Sequence, residues 1–116
     1  MSLSTHVLDT AQGKPAAGMR VSLMRVDGAA RHLVTETITN ADGRSDRPLV
    51  QNDDDLAGTW ELVFAVSGYF SQQGVVQDDP PFLDDVTIRF TMTDEQRHYH
   101  VPLLISPWAY STYRGS

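Results

Sequence analysis

Three of the four histidines in this 116-residue chain lie in stretches where apolar residues alternate with polar ones. His98 and His100 are two residues apart, which puts them on one face of a β-strand, and His6 lies in a similar stretch near the N-terminus. Imidazole titrates close to neutral pH and can act as a general acid or base. Three histidines could also form a His₃ zinc site. From spacing alone, hydrogen-bonded interface or surface histidines are the commonest case, so all three interpretations stay open.

The last seven residues of the sequence, Tyr-Ser-Thr-Tyr-Arg-Gly-Ser, are a second candidate for function. Disordered tails usually end in small polar or charged residues, whereas this stretch carries two tyrosines and an arginine. No nucleophile-elbow motif occurs, so a Ser-His-acid triad has no support. The chain has no cysteine, which excludes thiolate catalysis and Cys-ligated metal. The residues alone therefore predict a histidine-lined site.

Composition narrows the classes of partner. The net charge is −6, and the nine Lys and Arg residues are scattered, which argues against a protein that tracks nucleic-acid phosphates. No apolar run is long enough for a membrane span or a signal-peptide core. We therefore expect a cytoplasmic protein that binds neither nucleic acid nor membrane.

Period-two alternation predicts the elements that position these residues. It is clearest in residues 19–23, 60–66, 86–92 and 99–105, and turn residues separate these stretches. Residues 67–74 are the one helical candidate, with Ser67 as N-cap and Gly74 as terminator. Seven or eight short strands at this spacing predict an all-β protein, an antiparallel β-sandwich with one short helix. The length fits a single domain over residues 1–116.

Two predicted strands have an unusual outer face. In the strand that begins near residue 98, the face opposite the apolar one carries His98, His100, Pro102 and Leu104 instead of charges. The strand near the N-terminus places His6 beside Leu8 in the same way. A face of this kind is expected to be covered, and a second copy of the chain is the simplest cover. We therefore expect a homo-oligomer.

Five stretches, in their order and spacing over essentially the whole chain, resemble the transthyretin-like 5-hydroxyisourate hydrolases. They are LSTHVLDT (3–10), GKPA (13–16), NADGR (40–44), HYHVPLL (98–104) and YSTYRGS (110–116). The final Tyr-Arg-Gly-Ser is typical of the enzyme and is lacking in the similar hormone carrier transthyretin. That carrier has lysine, glutamate and threonine at the positions of His6, Arg44 and His100.

The resemblance implies a reaction and an assembly. The reaction is hydrolytic ring opening of 5-hydroxyisourate, a cyclic amide, to 2-oxo-4-hydroxy-4-carboxy-5-ureidoimidazoline in urate breakdown, a part of purine degradation. It implies no metal and no organic cofactor. The assembly is a homotetramer, a dimer of dimers with its sites where the dimers meet. The residues that the resemblance indicates are, for catalysis, His6, Arg44, His100 and Ser116, and for substrate binding His98, Tyr113 and Arg114.

Amide hydrolysis requires a water that loses a proton near the carbonyl and a stabilised oxyanion. His6 and His100 are candidates for water activation and proton delivery, in either order. Arg44 carries a permanent charge and a planar set of donors that suits an oxyanion, and Ser116 could orient water or substrate. Two alternatives remain: a small-ligand carrier with the same fold, and a His-ligated zinc hydrolase.

Overall fold

The computed structural model describes residues 1–51, 56–95 and 98–115. The strands, in chain order, are β1 (Ser2–Asp9), β2 (Lys14–Pro15), β3 (Arg20–Asp27), β4 (Ala30–Ile38), β5 (Val50–Gln51), β6 (Gly58–Phe64), β7 (Val86–Met92), β8 (His98–Ile105) and β9 (Tyr110–Thr112). The helix α1 (Val66–Gln73) lies between β6 and β7. None of the helical structure in these ranges is long and apolar enough to cross a bilayer.

The strands form two sheets. One has the order β2-β1-β8-β9, with the short β5 also paired to β1, and the other has the order β4-β3-β6-β7. All pairs are antiparallel except β1 with β8, which run parallel along the full length of both strands. The predicted all-β, transthyretin-like sandwich with one short helix is confirmed. Two strands of only two residues each bring the described total from the predicted seven or eight to nine.

The core lies between the sheets, because each sheet has one apolar face. The inward faces predicted from alternation are confirmed in β3, β6, β7 and β8. Burying these side chains removes apolar surface from water and is the main stabilising contribution to a sandwich of this size. The largest fully buried side chains are Leu3, Val7, Met19, Val21, Leu23, Leu62, Phe64, Val66, Phe70, Met92, Leu103 and Ile105.

The helix ends where the sequence predicts and begins slightly earlier. Gly74 has the left-handed conformation, with φ of 69°, and its N–H donates to the carbonyl of Ser71, which confirms it as terminator. The prediction of Ser67 as N-cap is wrong, since Ala65 holds that position without a side-chain bond. The Ser67 hydroxyl instead donates to Asp84 Oδ1 at 3.1 Å, so it ties the helix to the loop before β7.

Asp9, at the end of β1, fixes that strand against the helix. Its carboxylate is buried and accepts a hydrogen bond from the Tyr69 hydroxyl at 2.7 Å and others from Gln12 and the Ala11 N–H. Burial alone would raise the pKa of Asp9, but these hydrogen bonds outweigh it and hold the pKa below its usual value. The anchored β1 then carries His6 in a fixed register beside β8.

Candidate active site

The parallel pairing of β1 with β8 brings the histidines together. Ser2 lies opposite His98, Ser4 opposite His100, and His6 opposite Pro102. Because parallel partners at these register positions present side chains on the same face, all of them line the outer surface of this sheet. His6 and His100 are half-buried and His98 is exposed. Pro102, on the same face, is buried within a single chain.

Arg44 reaches this face through a tight turn. The Asn40 side-chain oxygen accepts from the N–H groups of Asp42 and Arg44, and the Arg44 carbonyl accepts from the Asn40 N–H at 2.8 Å. The Gly43 carbonyl then accepts a hydrogen bond from the Val7 N–H at 2.8 Å, and Gly43 has a φ of 76°. A Cβ at Gly43 would clash with the Val7 carbonyl oxygen, so only glycine lets the turn lie this close to β1.

The consequence of that turn is a β-bridge between His6 and Arg44. Because paired residues of a bridge present their side chains on the same face, the exposed Arg44 side chain and the half-buried His6 side chain share one face. A sequence separation of 38 positions gives no local signal of this contact. It depends on the turn that begins at Asn40.

The last described residues fold back over His100. The Gly115 N–H donates to the His100 carbonyl at 2.7 Å, and the two residues form a β-bridge. A Cβ built on Gly115 would lie 2.6 Å from Cδ2 of the His100 ring. Only glycine therefore lets the backbone lie directly against this imidazole.

Pro102 interrupts the ladder between β8 and this last segment. Pairing runs from Ile105–Tyr110 to Leu103–Thr112 and resumes at His100–Gly115 in the same register. Pro102 has no N–H to donate, and its carbonyl accepts from the Thr112 hydroxyl at 2.7 Å instead. The proline thus lies in the central strand β8, paired with His6 of β1 and without a ladder bond to the last segment.

Tyr113 and Arg114 both line a groove of about 230 Å³ beside β7, together with residues such as Phe90 and Val101. Tyr113 is exposed within one chain. Within the described part of one chain, Arg114 is thus not brought to the histidines. Ser116, the remaining predicted catalytic residue, lies outside the described residues.

The electrostatic surroundings of His100 disfavour its charged form. Burial lowers the pKa of His100 below its usual value, and the positive charge of Arg44 and the neighbouring His6 and His98 lower it further. An imidazole with a lowered pKa is unprotonated at neutral pH. It can therefore accept a proton.

Sequence reasoning missed the two serines on this face. Ser4 Oγ lies 2.8 Å from Nδ1 of His100 and 3.5 Å from Nε2 of His98, and Ser2 Oγ lies 2.5 Å from Nδ1 of His98. Alternation did place Ser4 on the face of His6. The missing information was the parallel register of β1 with β8, which no local pattern contains.

The described residues contain no set of side chains that could bind a metal ion. No group of three or more His, Asp or Glu side chains in residues 1–51, 56–95 and 98–115 is arranged so that it could hold a metal ion. His6, His98 and His100 share a face without forming such a group. The geometry therefore gives the zinc alternative no support.

The fold and this site define a transthyretin-like sandwich with a histidine-arginine cluster on one sheet. Comparison with known proteins supports the same class of protein. The family model described as HIUase/Transthyretin matches residues 3–115. A 5-hydroxyisourate hydrolase of Deinococcus radiodurans is 60% identical over 98% of this chain and 95% of its own length. The chain belongs to the HIUase/Transthyretin family.

Two solved structures show how far the likeness extends. The 5-hydroxyisourate hydrolase of Klebsiella pneumoniae superposes with a TM-score of 0.81 at 34% identity, covering 100% of both chains. Sea bream transthyretin, solved in complex with thyroxine, superposes with a TM-score of 0.87 at 25% identity, covering 99% of this chain and 95% of its own. Backbone shape is thus shared by both branches of the family, whereas sequence identity favours the hydrolases.

Proposed function

We propose that the cluster of His6, Arg44 and His100 is the catalytic centre of a hydrolase whose substrate is 5-hydroxyisourate. This chain hydrolyses 5-hydroxyisourate, opening the cyclic amide to 2-oxo-4-hydroxy-4-carboxy-5-ureidoimidazoline in urate degradation. The observation that carries the proposal is the convergence of an arginine and two half-buried histidines in a chain 60% identical to a protein named for this activity. The whole of residues 1–116 acts as one domain.

His100 is the general base in this mechanism. Its lowered pKa keeps the imidazole unprotonated at neutral pH, and Ser4 occupies its Nδ1 side, so Nε2 is the nitrogen left to face substrate. Nε2 accepts a proton from water while the water oxygen bonds to the amide carbonyl carbon. A positioned base of this kind contributes about 10² to 10⁴ in rate.

Arg44 stabilises the oxyanion that forms in the reaction, and His6 protonates the departing nitrogen. The carbonyl oxygen becomes an oxyanion when water adds, and the guanidinium of Arg44 stabilises it by charge-assisted hydrogen bonds. The carbon–nitrogen bond then breaks, and His6 delivers a proton to the departing ring nitrogen. The β-bridge between His6 and Arg44 supports this division, since paired residues of a bridge present their side chains on the same face.

The residues of the last segment bind substrate and close the site. Gly115 lies against the His100 ring, which supports a role for this segment in covering the substrate, and the exposed Tyr113 is assigned to substrate binding with it. Ser116 follows directly and orients water or substrate in the proposal. Arg114 points into the groove beside β7, so we assign it to substrate binding only through a second subunit.

The proposed assembly is a homotetramer, a dimer of dimers. Its support is the half-buried outer face of β1 and β8, where Leu8 lies opposite Leu104, and the exposed aromatic side chains of Trp108, Tyr110 and Tyr113 nearby. Both β7 and β9 are edge strands, which can extend pairing into a second copy. Cytoplasmic location stays a prediction from the sequence, and cell fractionation would test it.

The test is the loss of absorbance of 5-hydroxyisourate, freshly generated from urate by urate oxidase, with and without the purified chain. The proposal requires acceleration over the spontaneous reaction that persists in the presence of a metal chelator. Binding without acceleration would favour the small-ligand carrier. Loss of activity with chelator, restored by zinc, would favour the zinc hydrolase.

A further inference from the structure

A line of hydrogen-bonding groups leads from His100 to the surface. Ser4 Oγ lies 2.8 Å from Nδ1 of His100 and 3.5 Å from Nε2 of His98, and Ser2 Oγ lies 2.5 Å from Nδ1 of His98. His100 is half-buried and His98 is exposed. Alternating imidazole and hydroxyl groups therefore connect the base to solvent along the side of the ring that faces away from Nε2.

Every member of this line can accept a proton on one side and donate one on the other. A hydroxyl does both, and a neutral imidazole has one donor nitrogen and one acceptor nitrogen. The bonds can therefore all run outward, from Nδ1–H of His100 to Ser4, from Ser4 to Nε2 of His98, and from Nδ1–H of His98 to Ser2. In that arrangement Nε2 of His100 carries no proton, as a base requires. In the reversed arrangement Nε2 carries one.

We propose that Ser4 and His98 form a proton relay that holds Nε2 of His100 ready as the base and then carries the accepted proton to solvent. The relay rests on the proposed function of His100. When Nε2 takes a proton from the attacking water, Nδ1 releases its proton to the Ser4 oxygen, and the Ser4 hydroxyl proton passes to Nε2 of His98. Nδ1 of His98 then gives its proton to the Ser2 oxygen, and the Ser2 hydroxyl proton leaves to solvent.

One proton enters this line and one leaves it, so no ring keeps a net charge. That suits the surroundings of His100, where burial and the charges of Arg44, His6 and His98 disfavour an imidazolium. The link between Ser4 and His98 is the longest at 3.5 Å, and proton transfer requires the His98 ring to close it. The exposed position of His98 leaves room for that movement.

The first test is the tautomer of His100 in the free protein, read from ¹⁵N chemical shifts of its ring nitrogens. We expect Nδ1–H in the intact chain. Ser4→Ala should convert the ring to the Nε2–H tautomer that predominates in water, whereas Ser4→Thr, which keeps the hydroxyl, should not. Ser22→Ala removes a strand serine whose hydroxyl bonds Glu36 on the other sheet and serves as the control. The same tautomer in the intact chain and Ser4→Ala would overturn the proposal.

The second test is kinetic and separates a relay from a substrate contact. His98→Ala should lower kcat by about 10- to 100-fold with KM little changed, the range that removal of the hydrogen-bonding partner gives for metal-bound histidines, and added imidazole should restore part of kcat. A raised KM with unchanged kcat would overturn the relay and make His98 a binding residue. If the intact chain does not turn over 5-hydroxyisourate, the proposed function falls and the relay with it, even where the ¹⁵N shifts show that Ser4 sets the tautomer.

Discussion

At the scale of single residues, the surroundings of a histidine decide whether it belongs to the site. His6 and His32 show this contrast, since His6 is half-buried beside Arg44 while His32 is exposed on β4 of the other sheet. His6→Ala should lower kcat by about 10² to 10⁴, the usual contribution of acid-base catalysis, with the thermal midpoint nearly unchanged. His32→Ala is the matched control and should leave kcat as it is. Equal kcat in the two variants would remove His6 from the mechanism.

The pH dependence of kcat/KM follows from the lowered pKa of His100, since kcat/KM reports the ionisation of the free protein. A base is active when unprotonated, so kcat/KM should rise with pH through a value below the usual 6.5. Burial is the first cause of the lowering and the charge of Arg44 is the second, with smaller contributions from His6 and His98. Arg44→Gln should therefore move this acid limb to higher pH as well as lowering kcat. An acid limb that stays in place would show that Arg44 does not act on His100.

The lowered pKa of His100 also makes stability depend on pH. The direction is opposite to that of a salt-bridged histidine, whose pKa is raised in the folded state. Because the folded pKa of His100 is lowered, the unfolded chain binds more protons between the two pKa values. The free energy of unfolding therefore falls as pH drops below about 6.5. His100→Gln should reduce that dependence, as measured by urea unfolding at several pH values.

At the scale of elements, the last segment is held against the site by one glycine. A Cβ at Gly115 would lie 2.6 Å from Cδ2 and 3.2 Å from Cγ of the His100 ring. Gly115→Ala must therefore move the ring or the segment, and a displacement of about 1 Å at a catalytic group can cost about 10²-fold in rate. We expect that loss of kcat with little change in thermal midpoint. Gly68→Ala, in α1, meets no atom within 4 Å and should keep full activity; an equal loss there would contradict the account.

Period-two alternation predicted which face of each strand is buried, but it did not predict which strands pair with each other. The inward faces of β3, β6, β7 and β8 follow from period-two patterns, because burial of alternate residues is a local property. The parallel pairing of β1 with β8 joins residues 96 positions apart, as for Ser4 and His100, and nothing local encodes it. The partners of Ser4 depend on that pairing, and the bridge from His6 to Arg44 depends on a separate contact between residues 38 positions apart. The resemblance supplied the residue types of the site, and the fold supplied their contacts.

At the scale of the whole molecule, the half-buried histidine face of β1 and β8 should join the copies. Leu8 and Leu104 lie opposite each other on the histidine face, so Leu104→Glu places a charge where the proposal packs a second dimer. We expect sedimentation to give a tetramer for the intact chain and a dimer for Leu104→Glu, with activity lower by about 10²-fold as the shared site is lost. Leu33→Glu, on the exposed face of β4 with 59% of its surface accessible, should stay tetrameric. A fully active Leu104→Glu dimer would show that one dimer holds a complete site.

The central claim is that the histidine-arginine cluster hydrolyses 5-hydroxyisourate. The most direct measurement follows freshly generated 5-hydroxyisourate by absorbance with equal amounts of the intact chain, His100→Ala and no protein. The account predicts rapid loss of substrate with the intact chain and a kcat about 10² to 10⁴ lower for His100→Ala, which should remain folded. Equal rates for the intact chain and His100→Ala, or no acceleration by either protein, would contradict it.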